Sequence, residues 1–452
     1  MLFHTQEFLI FLVVLGFLYY LPLLSRLQVP LIVLGSFVFY SWEKPEYLLL
    51  LAGSCVWSSL CSRRCISSGS RVWLWLGVGG NLGLLCFCKY AVLLWPSRFT
   101  LYQNVSDNWG LIYLPLPVGI SFFTFQGISL VVDRFRRSGK GLREFSFLQD
   151  VAYLTFFPQL VAGPIVRATE FLPQIKPKTV KDIAWADCYR FLVLGYFLKR
   201  VVADNLNPLT RTMTQQVTLE LSSIDLLALI YAYGIQIFSD FAGYSLIAMG
   251  LAGLFGYRLP INFRSPYLAT SFSDFWRRWH VTLSTWLRDY LYIPLGGNRK
   301  GKVRTYINLM VVMALGGVWH GASWNFLVWG LAHGLFLALE RPFLGTSDSR
   351  LYRLCRWLLV YFCVNAAWLL FIFETPEACS RYVQAIFLNY SIAPTLGDLF
   401  LIIYFSLPVW LYHLLSQTPN LKARLAPYIY GLLLFLVFTE PGAQHAFIYF
   451  QF

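Results

Sequence analysis

The sequence contains few charged residues for its length. Asp, Glu, Lys and Arg make up 13% of its 452 residues, whereas soluble domains carry about 25%. Hydrophobic residues make up 57% and aromatic residues 18%. This shortage of charge excludes a soluble globular protein, and we predict that the chain crosses a membrane several times. The first apolar run, 8–24, has no basic segment before it and no small-residue cleavage site after it, so we interpret it as a membrane helix.

Acidic residues are scarcer than basic ones, at 22 against 36, which gives a formal net charge of +14. We attribute the excess to the positive-inside rule, because Lys and Arg cluster in loops expected to stay cytoplasmic, and we predict no binding to nucleic acid. The apolar runs contain few carboxylates, and the chain has no internal repeat. Both absences disfavour a transporter built from paired half-repeats.

The nine cysteines lack the spacing of a zinc site. Cys61 and Cys65, like Cys86 and Cys88, have no matching second pair. Thiols in or beside apolar segments behave as small hydrophobic side chains. The sequence therefore predicts no metal site and no bound cofactor.

The apolar segments predict about 11 to 12 membrane spans with additional re-entrant helices, since a spanning helix needs about 20 apolar residues. Segments 222–256 and 306–341 are too long for one simple span, and each is expected to contain either two short spans or a span with a re-entrant piece. Segment 148–166 contains Pro158 and is expected to be broken and re-entrant. No soluble domain or linker is found, so we predict one all-α membrane domain over residues 1–439.

The segment 258–304 is the most basic part of the chain. It contains nine Lys and Arg residues against two Asp residues, a net charge of +7, and is expected on the cytoplasmic side. Arg277 and Arg278 lie within it and are candidates for binding an anionic ligand, because guanidinium groups match phosphate oxygens. The alternative is that these charges only set the membrane orientation.

A continuous helix through this segment would determine which of its side chains share a face. Trp276, His280 and Ser284 would share one face, and Asp274 would form a pair with Arg278 at i,i+4 spacing. His280 is then expected to face inward beside Trp276, while the arginines face headgroups, water or a ligand.

Two histidines occupy positions where a titratable side chain is unusual. His320 lies inside the apolar segment 306–341, and His280 follows the amphipathic basic motif. A polar group in hydrocarbon costs several kcal/mol unless it has a partner, and histidine is the usual proton acceptor in acyl transfer. We therefore predict that both are catalytic. The alternatives are a hydrogen bond from His320 to a backbone carbonyl and an interfacial position for His280.

Four further residues are singled out by their positions. Trp319 and Trp324 flank His320 and are expected to be either pocket walls or plain packing, and Trp324 is the favoured wall if the segment is helical. His333 would lie about 220° from His320 round one ideal helix, so we expect it to face elsewhere. Asp240 lies in an apolar run and needs a partner, for which we favour a structural polar network over a catalytic role.

Five motifs in this order resemble those of the membrane-bound O-acyltransferases, and the resemblance extends over nearly the whole chain. They are Phe157-Pro-Gln-Leu-Val-Ala-Gly-Pro-Ile-Val-Arg167, Phe238-Ser-Asp-Phe-Ala-Gly-Tyr-Ser245, Asp274-Phe-Trp-Arg-Arg-Trp-His-Val-Thr-Leu-Ser284, Leu291-Tyr-Ile-Pro-Leu-Gly-Gly-Asn298 and Trp319-His-Gly-Ala-Ser-Trp-Asn325.

The resemblance implies a ring of tilted helices around a thin centre, with a tunnel through the membrane and a motif core at about 150–341. The family's embedded catalytic histidine maps onto His320, and its upstream histidine maps onto His280. The sequence is most similar to the bacterial branch that acetylates alginate, cellulose or peptidoglycan. That branch implies acetyl-CoA as acyl donor, a periplasmic acetyltransferase partner, contact with membrane lipids and location in the inner membrane.

The C-terminal residues 440–452 are expected to form an extracytoplasmic tail. Phe447-Ile-Tyr-Phe-Gln-Phe452 resembles a Phe-x-Tyr-x-x-Phe motif of this branch, and the resemblance implies that Tyr449 accepts the acyl group. An interfacial aromatic belt is the alternative for this tyrosine.

The function implied is therefore O-acetylation of an exported polysaccharide. Two alternatives stay open: transfer of D-alanine or another acyl group to teichoic acid, lipid or protein, and, more remotely, transport without chemistry.

Overall fold

The computed structural model describes residues 1–94, 117–137, 145–215, 220–343, 349–445 and 447. Over these ranges the regular secondary structure is helical throughout. The prediction of an all-α, polytopic membrane protein is confirmed. The described chain divides into two compact units, and each is treated by itself below.

The first unit comprises Met1–Tyr189 and Ile247–Pro260. Its helices are α1 (Gln6–Tyr20), α2 (Gln28–Ser41), α3 (Tyr47–Ser68), α4 (Arg71–Leu94), α5 (Ile120–Arg137), α6 (Phe147–Thr155), α7 (Phe157–Leu160) and α8 (Ala168–Phe171). The predicted break in segment 148–166 is confirmed, because α6 ends at Thr155 and Pro158 stands in the first turn of α7. The buried Asp150 of α6 forms ion pairs with Arg134 and with Arg63, the latter at 3.2 Å.

The second unit comprises Arg190–Leu246 and Ile261–Phe452. Helix α9 (Trp185–Tyr196) leads into it and continues as a π-helical segment, Phe197–Ala203. The helices that follow are α10 (Asp204–Arg211), α11 (Ser223–Leu254), α12 (Phe272–Arg278), α13 (Val281–Leu287), α14 (Gly301–His320), α15 (Trp324–Glu340), α16 (Arg350–Ile372), α17 (Pro376–Leu388), α18 (Leu396–Leu415) and α19 (Pro419–Thr439). The last turns of α11, from Ile247, belong to the first unit. Helix α11 runs without a break through segment 222–256, so the prediction of two short spans or of a span with a re-entrant piece is wrong for this segment.

Five helical stretches among the described residues are long and apolar enough to cross a membrane. They are Pro22–Ser41, Arg71–Tyr90, Ser223–Leu254, Arg350–Ile372 and Leu396–Leu415. Helix α18 shows the expected surface, since Phe400 and Ile403 are about two-thirds exposed and an exposed apolar face suits lipid. The larger span count and the division at residue 439, where α19 ends, stay predictions.

Helices α14 and α15 are two halves of the long apolar segment 306–341, which the sequence predicted to be more than one simple span. They pack with no room for a β-carbon at their closest points: one added at Gly317 would lie 2.2 Å from the carbonyl oxygen of Phe326, and one at Gly330 would lie 2.3 Å from that of Met313. Small residues permit such close backbone packing between membrane helices. The pair therefore places His320, at the end of α14, beside the start of α15.

Candidate active site

The basic motif does not form one continuous helix. Helix α12 begins after Ser271, whose hydroxyl accepts a hydrogen bond from the backbone N–H of Asp274 at 2.9 Å, and it ends at Arg278. Asp274 and Arg278 form the predicted ion pair at 2.9 Å. The next residue, Trp279, is extended, and His280 has φ 42° and ψ 53°, in the left-handed region. The prediction that Trp276, His280 and Ser284 share one helix face is therefore wrong.

Two backbone hydrogen bonds from outside the motif accompany this break. The N–H of Arg264 donates to the carbonyl of Arg278, and the N–H of Val281 donates to the carbonyl of Asn262, each at 2.9 Å. The segment around Asn262 thus binds both sides of the interruption. A left-handed conformation of a residue other than glycine costs of order 1 kcal/mol and persists where surrounding contacts enforce it.

Asn262 fixes the tautomer of His280. Its Oδ1 lies 3.4 Å from the backbone nitrogen of Thr282 and 3.0 Å from that residue's hydroxyl. A backbone N–H can only donate, so the amide oxygen must stand there. The same Oδ1 lies 3.0 Å from Nδ1 of His280, so Nδ1 carries the hydrogen and donates it. In the neutral ring Nε2 then carries the lone pair and is able to accept a proton.

His280 is buried, with 1% of its surface exposed. The Phe241 ring stands perpendicular to the imidazole at 4.7 Å between centroids. Within the described part of the chain, no hydrogen-bond partner reaches Nε2. The residue lies outside the candidate spanning helices, and burial lowers the pKa of its imidazole to about 3. The ring is therefore neutral at physiological pH.

His320 is the last residue of α14 and lies in an aromatic enclosure. Its ring centroid is 4.8 Å from Trp319, 5.2 Å from Trp329 and 4.9 Å from Phe371. It lines a small pocket of about 110 Å³ with largely apolar walls, which include Trp276 and Trp329. This pocket is the first of two cavities at the site.

Trp319 links the two histidines. Its ring lies 4.8 Å from that of His320 and 6.3 Å from that of His280. The structure thus brings together the two histidines that the sequence placed in separate motifs. Trp276, from the basic motif, lines the small pocket together with His320.

Trp324 does not form a wall beside His320. Helix α14 ends at His320 and a new helix begins at Trp324, so the i+4 spacing of one continuous helix does not apply. The side chain is 70% exposed. The predicted role of Trp324 as a pocket wall is therefore corrected.

His333 also departs from its predicted position. Because α15 runs back along α14, His333 returns to the site and does not face elsewhere. It is fully buried, 4.7 Å from the Trp329 ring and 5.2 Å from the Trp276 ring. Both tryptophans also line the pocket of His320, so His333 stands directly behind that pocket.

A second, larger pocket of about 520 Å³ is lined in part by Phe371, whose ring contacts His320. Its lining is rich in polar and charged side chains, among them Gln236 and Asp240. The predicted need of Asp240 for a partner is met by Lys199, whose Nζ lies 2.6 Å from its Oδ1. Lys199 also pairs with Asp204 at 3.0 Å.

Sequence reasoning missed Lys199, Asp204 and Asn262. The signal for the first two was present: a lysine and an aspartate stand inside the apolar segment 189–206, where neither is expected without an opposite charge nearby. Asn262 gave no such signal, because its role depends on backbone contacts that bring it to the break at His280.

Arg277 and Arg278 differ in their surroundings. Arg277 is exposed and donates from Nη2 to the hydroxyl of Ser273 at 3.0 Å. Arg278 is half-buried and held by Asp274. A role of either residue in donor binding stays a prediction. Tyr449 lies outside the described residues.

Comparison with known proteins gives a family match. The model of the membrane-bound O-acyltransferase family matches residues 46–384. The probable alginate O-acetylase AlgI of Pseudomonas putida is 35% identical, over 86% of this chain and 80% of the relative. The peptidoglycan O-acetyltransferase of Helicobacter pylori is 34% identical, over 85% and 79%. The teichoic acid D-alanyltransferase of Streptococcus thermophilus is 29% identical, over 59% and 72%.

Proposed function

The chain belongs to the membrane-bound O-acyltransferase family, and from that premise we propose that it moves acetyl groups from cytoplasmic acetyl-CoA across a bacterial inner membrane, for O-acetylation of an exported polysaccharide. That the chain is a multi-pass membrane acyltransferase follows from the family and the apolar helices. The acetyl group, its donor, the membrane and the polysaccharide are the proposal. Relatives named for alginate and peptidoglycan acetylation support it.

One observation carries the proposal: His320 lines one of two pockets of opposite character and contacts a residue that lines the other. The small pocket has apolar walls and a volume of about 110 Å³, which suits a short acyl group better than a fatty chain. The larger pocket, of about 520 Å³, has a polar lining and suits an acceptor with hydroxyl groups. The His320 ring lines the first and contacts Phe371, which lines the second.

The chemistry follows from this arrangement. His320 accepts the proton of the incoming hydroxyl, and the oxygen attacks the thioester carbonyl carbon. The tetrahedral adduct then collapses as the carbon–sulfur bond breaks, and the imidazolium returns the proton to the leaving thiolate. His280 presents a second unprotonated imidazole nitrogen across Trp319. We propose that it assists the same proton transfer.

The donor and the acceptor are assigned to opposite sides of the membrane. Arg277 and neighbouring basic residues of segment 258–304 bind the phosphates of acetyl-CoA on the cytoplasmic side. Tyr449 accepts the acetyl group from outside, and its phenol, with an ordinary pKa near 10, needs such a base. A separate periplasmic acetyltransferase then moves the acetyl group to the polysaccharide. Membrane lipids surround the apolar helices.

The test is incubation of the purified protein with radiolabelled acetyl-CoA, with label followed on protein. We expect wild-type protein to carry label and both His320→Ala and Tyr449→Phe to lack it. Label that survives Tyr449→Phe but not His320→Ala would move the acceptor to another residue. Intact thioester in every sample would reject acetyl-CoA as sole donor.

D-alanyl transfer is the second candidate. The similarity to a teichoic acid D-alanyltransferase favours it, and a D-alanyl group is also small enough for an apolar pocket of this size. The acetylating relatives, however, match at higher identity and over more of the chain. Replacing labelled acetyl-CoA by a D-alanyl thioester in the same assay separates the two.

Asn262→Leu is expected to lower the rate of acyl transfer about 100-fold, the order of loss that a misplaced group at a reacting centre produces. Leucine is close to asparagine in size but cannot accept the hydrogen from Nδ1 of His280, so the tautomer and ring orientation are no longer fixed. The measurement is donor consumption by variants whose thermal unfolding in detergent is compared with wild type.

Asn308→Leu is the matched control. Asn308 is also 1% exposed and also makes a side-chain hydrogen bond, to the carbonyl of Gly297 at 3.0 Å, but no histidine is involved. Equal rates for the two variants would contradict a role of Asn262 in positioning His280.

A further inference from the structure

The first residues of the C-terminal tail are anchored by their backbone. The N–H of Gly442 donates to the carbonyl of Arg200, and Nη2 of Arg200 donates to the carbonyl of Gly442, each at 2.9 Å. Nδ2 of Asn205 donates to the carbonyl of Glu440 at 3.0 Å. A β-carbon on Gly442 would lie 2.7 Å from the backbone nitrogen of Asn205. The tail therefore packs against this part of the second unit closely enough to leave no room for a side chain at Gly442.

Phe447 ends the described part of the tail in a buried aromatic seat. Only 1% of its surface is exposed. Its ring stacks on Tyr244 at 4.6 Å between centroids and lies 5.7 Å from Phe241. On the way, His445 lines the polar pocket. The tail thus runs from the anchor at Gly442, past that pocket, to the seat.

One residue, Phe241, connects the seat to the imidazole of His280. Its ring lies 5.7 Å from that of Phe447 and stands perpendicular to that of His280 at 4.7 Å between centroids. Only one hydrogen bond to the His280 ring, from Nδ1 to Asn262, is found within the described residues. This hydrogen bond holds the ring at one atom, and the contact with Phe241 is a second restraint on its orientation.

We propose that Phe447 is a positioning residue, which holds Phe241 against His280 so that Nε2 is correctly placed only while the tail is docked. The proposal rests on the proposed function, since it assumes that His280 takes part in acyl transfer. Its consequence is that the segment carrying the acceptor also completes the site. Donor thioester is then spared from hydrolysis when no acceptor is present.

The first readout is chemical and needs no donor. Diethyl pyrocarbonate modifies neutral imidazole, and mass spectrometry locates the modified residue in the full chain. We expect Phe447→Ala to raise the rate at which His280 is modified about tenfold, which corresponds to the loss of one aromatic contact. His413 is buried and hydrogen-bonded to the carbonyl of Val409. It is an internal standard in the same sample, and its rate of modification should stay unchanged.

The second readout separates positioning from delivery of the acceptor. In a Tyr449→Phe background the tail cannot accept an acyl group, and water is the remaining acceptor for acetyl-CoA. Adding Phe447→Ala is expected to lower this hydrolysis about 10- to 100-fold if His280 is displaced. A residue that merely delivers Tyr449 would leave hydrolysis unchanged.

Phe438→Ala is the control, because Phe438 lies in α19 near the tail but is 78% exposed. It should change neither readout. If Phe447→Ala does not fold, Phe447→Leu keeps apolar bulk without the planar ring and takes its place. A wild-type rate of modification at His280 in a folded Phe447 variant overturns the proposal. An equal rise in the rate of modification at His413 also overturns it, because that would indicate a general loss of packing in the protein.

Failure of the proposed function would look different. If wild-type protein does not consume acetyl-CoA, the donor is wrong. The modification rates at His280 and His413 still decide whether Phe447 positions the imidazole.

Discussion

His320→Gln will lower the rate of acyl transfer by about 10²- to 10⁴-fold, the contribution typical of a positioned general acid–base group. Glutamine fits the enclosure formed by Trp319, Trp329 and Phe371, so packing is largely kept. Its amide cannot accept a proton at neutral pH. The loss should therefore appear in turnover and leave the thermal unfolding of the detergent-solubilised protein nearly unchanged. Labelled thioester consumption, measured beside an unfolding curve, checks both.

His413→Gln is the matched control for this substitution. His413 is fully buried, stacks against Tyr267 at 5.8 Å and donates from Nδ1 to the carbonyl of Val409. It lines neither of the two pockets at the site. We expect this variant to keep most of its turnover. Turnover in His320→Gln above about a tenth of the wild-type rate would exclude His320 as the principal base, and equal losses in both variants would indicate a structural effect.

Lys199→Met is expected to destabilise the protein by about 3 to 5 kcal/mol, the cost of breaking a buried ion pair by removing one partner. Lys199 lies 2.6 Å from a carboxylate oxygen of Asp240 and 3.0 Å from one of Asp204. All three side chains are at most 5% exposed. Arg200 still pairs with Asp204 at 2.6 Å, so the carboxylate more affected by the loss of Lys199 is that of Asp240. Thermal unfolding in detergent measures the loss.

A double substitution tests whether the broken ion pair causes the loss of stability. Lys199→Met combined with Asp240→Leu removes both members of the pair and should recover much of the stability, because apolar replacement of a buried pair is often close to neutral. Lys302→Met removes an exposed lysine and should unfold like wild type. If Lys199→Met also unfolds like wild type, Lys199 and Asp240 do not form a stabilising pair in the membrane-embedded protein.

Composition and local spacing were sufficient for much of the fold. The scarcity of charge predicted a polytopic helical protein, Pro158 predicted the break after α6, and the Asp274–Arg278 spacing predicted a pair found at 2.9 Å. The two histidines were singled out because a titratable side chain in an apolar setting needs an explanation. Each of these predictions depends on neighbours in sequence or on bulk composition.

The errors arose where distant backbone decides local conformation. The basic motif itself does not indicate that the helix ends before His280, because the hydrogen bonds that accompany the break are made with the backbone of Asn262 and Arg264. The same limit applies to Trp324 and His333. Their side-chain directions are predicted from one continuous helix, whereas α14 ends at His320 and a second helix, α15, begins at Trp324. Periodicity describes an element correctly only after its ends are known.

The backbone at His280 keeps a small strain for the sake of its side chain. At φ 42° a side chain with a β-carbon is disfavoured, and glycine adopts such a conformation without that cost. His280→Gly would nevertheless leave an empty space at a position that is 1% exposed and would remove the ring that donates to Asn262. Truncation of a large buried side chain costs more than the strain it relieves, so a search for stabilising glycines based on backbone angles alone would choose position 280 wrongly.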